Sequence, residues 1–131
     1  MSGDEIVLDL RLHPHRFWLL LDVSVAGGKE IAFVLDSGAP ASVIHPAILA
    51  ALIAEGRAER ARGNWYRLRD MAVAGAPIPD ALIRAGGPTE RVRVGGIIGL
   101  DYLSQFARVC VDIPSLRLTL TPMPDGTKAD S

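Results

Sequence analysis

An apolar run from Ile31 to Leu35 ends in Asp36-Ser37-Gly38-Ala39. A carboxylate at the end of such a run is costly to bury unless a partner or a reaction uses it, and no basic residue stands beside it. The next three residues suit a tight reactive turn. Ser37 can hydrogen-bond across it, Gly38 admits another backbone or a substrate at close range, and Ala39 keeps the space small. Further along, Gly95-Gly96-Ile97-Ile98-Gly99-Leu100-Asp101-Tyr102-Leu103 sets an apolar pair before a glycine and a short helical turn. The plain structural account of Asp36 is an Asx-type turn after a strand. The downstream glycine motif raises it to a candidate catalytic carboxylate.

Other chemistry-bearing residues have simpler explanations. Asp101 reads as a helix N-cap rather than an in-chain partner for Asp36. His13-Pro14-His15 offers two imidazoles without a third ligand, so an exposed turn is expected and no metal. His45 fits the start of a helix. Cys110 is the sole cysteine, which rules out an intrachain disulfide, and its apolar surroundings predict a core position. Arg57, Arg60, Arg62, Arg67 and Arg69 flank Trp65 and Tyr66, a mixture that could bind single-stranded nucleic acid. Glu59 and Asp70 dilute that charge, and a solvated hairpin is the expectation. Gly95 to Gly99 lacks the Lys-Ser/Thr ending of a phosphate loop.

The elements that must position Asp36 are mainly strands. Ile6 to Leu12 and Phe17 to Val25 alternate with period two. Ala26-Gly27-Gly28-Lys29-Glu30 reads as a hairpin turn. Ile31 to Leu35 has no alternation and predicts a strand covered on both faces. Ser42-Val43-Ile44 is a short extension. His45-Pro46 opens a helix through Glu55 that Gly56 ends. Trp65 to Val73, Ala81 to Ile83, Val109 to Ile113 and Leu116 to Leu120 complete the strands, with a turn at Gly75-Ala76-Pro77 and a loop over much of 84–96. Asp101 caps a helical turn through Gln105. Roughly seven to nine strands and one or two short helices predict a mostly-β, closed or folded-over sheet.

With 131 residues, 49 % hydrophobic and 22 % charged, the chain is sized for one domain with one core, and 5 % aromatics makes that core aliphatic. A net charge of −1 gives no global pull toward nucleic acid or anionic membrane. No apolar stretch approaches the ~18 residues of a membrane span. The acidic start, Met-Ser-Gly-Asp-Glu, lacks a signal peptide's basic region, so a cytoplasmic location is expected. The apolar excess points to surface covered by a partner.

Together, Asp36-Ser37-Gly38-Ala39 and Ile97-Ile98-Gly99 followed by Leu100-Asp101-Tyr102-Leu103 resemble the single-domain, retropepsin-like aspartic proteases. The likeness spans about residues 6–121 within a single domain of 1–131, with 122–131 expected to be a flexible tail. It implies a mostly-β, closed barrel of the acid protease fold with one or two short helices. It also implies an aspartic endopeptidase without metal or cofactor, acting on a peptide or protein. Two carboxylates would share a site, one ionised to take a proton from water and one protonated to polarise the scissile carbonyl. The chain has no second Asp-Ser-Gly or Asp-Thr-Gly, so the resemblance implies a C2 homodimer with Asp36 facing Asp36. Ser37 would brace its twin, Gly38 and Ala39 would present backbone to the substrate, Ile97 and Ile98 would line pocket walls, and Gly99 would let the halves pack.

The sequence departs from that pattern at the flap. Only residues 57–67 are available for it, with the tip at Arg62-Gly63-Asn64 rather than a glycine-rich apolar one. The alternative expectation is therefore a weak or inactive module of the same fold that dimerises or binds peptides. No nucleic-acid or membrane partner is expected.

Overall fold

The computed structural model describes residues 5–14, 18–25, 29–73, 76–77, 81–86 and 94–124. The expectations for Phe17, His15, Gly27-Gly28, Gly75, residues 87–93 and residues 125–131 fall outside them. Among the described residues are thirteen strands and two short helices, a mostly-β chain as the alternation predicts.

β3 (Leu19–Val25) and β4 (Lys29–Leu35) form an antiparallel pair in register from Leu20↔Val34 to Val25↔Lys29. β4 also runs parallel to β11 (Gly96–Ile98), so it lies inside a sheet with neighbours on both edges. Phe33 is fully buried in the main core, while Val34 points the other way, into a second cluster with Leu20, Val94, Ile97 and Trp18. Two apolar clusters on opposite faces explain why this run does not alternate.

β5 (Val43–Ile44) pairs with β11 and, in parallel, with β10 (Ala81–Ala85). α1 (Pro46–Ala54) begins after His45, whose Nδ1 accepts from the Ala47 amide at 3.0 Å, with Pro46 in the first turn where its missing N–H costs nothing. Leu49 and Leu52 anchor it to the core. β6 (Ala58–Arg62) and β7 (Trp65–Leu68) form a hairpin, and β7 continues the sheet onto β10. The predicted Trp65–Val73 strand is in fact broken. Asp70 adopts φ 56°, a conformation Asp tolerates better than bulkier residues, and β8 (Ala72–Val73) turns away to pair with β3 and with β9 (Ala76–Pro77).

The first predicted strand is also divided. β1 (Ile6–Asp9) joins β13 (Arg117–Pro122), which pairs with β12 (Phe106–Asp112) in a three-stranded sheet. β2 (Arg11–Leu12) instead pairs with β3 in the large sheet. The buried Leu10 lies where the chain crosses, its amide donating to the Leu116 carbonyl at 2.8 Å. The large sheet has the order β6-β7-β10-β5-β11-β4-β3-β8-β9. Leu8, Leu118 and Leu120 of the small sheet share one core with Val23, Phe33, Ile44, Ile83 and Ile98 of the large one. Burying each such side chain is worth about 1.5–3 kcal/mol.

Cys110 is exposed, contrary to its predicted core position. It stands opposite Thr119, itself opposite Val7, on the outer face of the small sheet, while the neighbouring Val109 packs against the core. No described helix is long and apolar enough to cross a membrane.

Candidate active site

Asp36 directly follows β4, and its amide continues the ladder to β11 by donating to the Ile98 carbonyl at 3.0 Å. The loop that follows is a true Asx turn. Asp36 Oδ1 accepts from the Gly38 amide at 2.9 Å, and the Asp36 carbonyl accepts from the Ala39 amide at 3.1 Å. The structural and the catalytic accounts of Asp36 are therefore compatible, because the turn occupies one carboxylate oxygen and orients the other. Asp36 is half-buried, Ser37 and Gly38 are exposed, and Ala39 is half-buried. Among the described residues nothing else hydrogen-bonds the Asp36 carboxylate, and the Ser37 hydroxyl is unpaired.

The loop is held from behind by α2 (Leu100–Leu103). The Leu100 amide donates to the Ala39 carbonyl at 2.8 Å. A Cβ on Gly99 would stand 2.5 Å from that same oxygen, so only glycine allows this approach. Ser42, the buried polar residue of the loop, donates its hydroxyl to Asp101 Oδ1 at 2.7 Å and accepts from the Gly99 amide at 2.9 Å. The Ser42 amide also donates to both Asp101 oxygens at 3.0 Å. Asp101 thus differs from the predicted N-cap. Gly99 occupies the cap position, and Asp101 lies in the first turn, where its carboxylate also takes the Tyr102 amide at 2.8 Å. Spent on four hydrogen bonds, it locks the Asp36 loop to α2 and is not a second acid for Asp36. The role of Ser42 is invisible in sequence, because the contact joins the loop to a helix 59 residues away rather than lying within one motif.

Of the predicted pocket residues, Ile98 is only 1 % exposed and belongs to the main core, so its side chain cannot line a cleft. Ile97 is half-buried on the opposite face and retains surface. Gly99 serves the loop packing just described.

The predicted flap is a hairpin turning at Gly63-Asn64, with Gly63 at φ 54°. It does not stand free of the sheet. Trp65, the first residue of β7, is already opposite Arg84 of β10, and Asn64 Nδ2 donates to the Ala85 carbonyl at 3.1 Å. Arg60 Nε donates to the Gly63 carbonyl at 2.8 Å, tying the tip to its own strand. Arg62 is exposed beside it. His45 caps α1 as expected, and no cluster of metal-ligating side chains occurs among the described residues.

Two solved structures resemble this chain over most of its length. A retropepsin-like aspartic protease from Rickettsia conorii superposes with a TM-score of 0.60 at 17 % identity, over 91 % of this chain and 90 % of that one. The retroviral protease-like domain of Ddi1 from Leishmania major gives 0.55 at 18 % identity, over 83 % and 96 %. No protein-family model matches the sequence, and no curated protein does. The chain has the retropepsin-like fold, the fold of aspartic proteases.

Proposed function

We propose that the chain is an aspartic endopeptidase assembled as a C2 homodimer, in which the two Asp36 carboxylates share one proton and activate a water against a peptide carbonyl. The observation that carries this reading is the state of the Asp36 loop. One carboxylate oxygen is fixed by Gly38; among the described residues the other has no partner and neither has the exposed Ser37 hydroxyl; and the whole turn is braced by Ser42 and Asp101. A carboxylate held this firmly at the surface, with one oxygen turned to solvent, can meet a group from outside the chain. A second copy supplies the missing acid. Leu100, bonded through its amide to the same loop, leaves 46 % of its surface exposed and gives the dimer an apolar contact beside the dyad. Asp36→Asn tests the reading. The variant should fold and dimerise yet cleave nothing, and cleavage equal to wild type would overturn it.

A second reading has its own support. The hairpin pinned through Asn64 lies within the sheet up to its tip, so it covers little beyond it. A cleft without a closing flap excludes water poorly and holds peptide loosely. A dimer that binds peptides but cuts none at any pH would establish that module instead.

A further inference from the structure

Outside the Asp36 loop, the most distinctive surface is the outer face of β6, β7 and β10. Tyr66, Leu68 and Ile83 turn toward the core, so the alternate residues of these strands face away from it. They form two cross-strand rows, Glu59–Arg67–Leu82 and Arg62–Trp65–Arg84. A groove of about 660 Å³ runs along this face, lined by Glu59, Arg60, Arg62, Trp65, Arg67 and Leu82.

The groove is positively charged despite the chain's net charge of −1. Glu59, the one acid among its described lining residues, is paired with Arg69 at 3.2 Å. The Arg84 guanidinium lies 5.6 Å from the centre of the Trp65 ring, and Arg62 and Arg67 have no carboxylate partner among the described residues. Between these cations lie Trp65 and Leu82, the latter 43 % exposed. Unpaired guanidiniums suit carboxylates, which they bind with two parallel hydrogen bonds, and the apolar strip between them suits an aliphatic or aromatic side chain.

We propose that this face is a docking site for an acidic, extended polypeptide segment with an apolar residue between its carboxylates. Single-stranded nucleic acid fits less well. Strand binders use successive exposed rings as stacking platforms, and among the described lining residues there is one ring, already engaged by Arg84. The site faces away from the core and does not depend on hydrolysis at Asp36. If the chain is a peptidase, the groove selects among substrates by an acidic segment of the bound chain.

The test is fluorescence anisotropy with a short labelled peptide in which glutamates flank a leucine, using the Asp36→Asn chain so that binding is read whether or not the wild type cleaves. The controls are the same peptide with glutamines and an oligothymidylate. The acidic peptide should bind, weaken as salt rises, and lose about five- to tenfold in affinity in the Arg62→Ala/Arg67→Ala variant. Both arginines are exposed, so this variant should keep the wild-type circular dichroism. Equal affinity for the glutamine peptide, indifference to the double substitution, or tighter binding of the oligothymidylate would each overturn the proposal.

Discussion

The Ser42 hydroxyl donates to Asp101 Oδ1 at 2.7 Å and accepts from the Gly99 amide at 2.9 Å, joining the Asp36 loop to α2 through one buried oxygen. Removing that oxygen strands a buried amide, and the loss of such a partner costs about 1–3 kcal/mol. Ser42→Ala should therefore lower unfolding stability by about that amount, read from urea titrations. A variant as stable as wild type would show that the link contributes nothing.

Leu100 is 46 % exposed on the turn whose amide holds Ala39. If two Asp36 loops meet on an axis, a charge at Leu100 is desolvated against its twin. Leu100→Glu should shift the chain to monomer in analytical ultracentrifugation and abolish cleavage, with circular dichroism unchanged. A full-strength dimer would place the interface elsewhere.

The tethered hairpin limits turnover in the peptidase reading. Asn64→Ala breaks the bond to Ala85, and glycines inserted beside Asn64 lengthen the tip. Together they should raise kcat/KM on a peptide substrate, because a longer hairpin closes better over the bound chain. Gly63→Ala tests the turn separately. At φ 54° a side chain is strained, and the loss should be about 1 kcal/mol. An unchanged kcat/KM in the lengthened variant would remove the hairpin as the limit.

Burial pushes the Tyr102 phenol up from 10.0 to about 12. The folded value lies above the unfolded one, so the associated stability is complete below pH 10 and is lost as pH climbs toward 12. Over that window the loss should be about 2–3 kcal/mol, seen as a falling urea midpoint. Tyr102→Phe should flatten the slope, and the same slope in both proteins would contradict the assignment.

Much of this was legible where the cause is local. The unalternating run into Asp36, the His45-Pro46 helix start and the hairpin at Gly63-Asn64 each depend on neighbours in sequence. What sequence misses depends on distant partners. Trp65 to Val73 looks like one strand, but the backbone at Asp70 turns β8 toward β3. Cys110 looks like core, but pairing with Thr119 sets it on the outer face. Ile98 looks like a pocket wall beside Ile97, yet adjacent strand residues point to opposite faces, and the core claims Ile98. Asp101 looks like a cap until Ser42 is found against it.

The central claim is that two chains build one site, and subunit mixing tests it most directly. Wild type and Asp36→Asn would be combined equally, exchanged to equilibrium and assayed on a peptide at fixed total protein. If the dyad spans the dimer, only wild-type pairs cleave, and activity should fall to about one quarter of the pure wild type. Retention of about one half would mean that each chain acts alone, which contradicts a site shared across the axis.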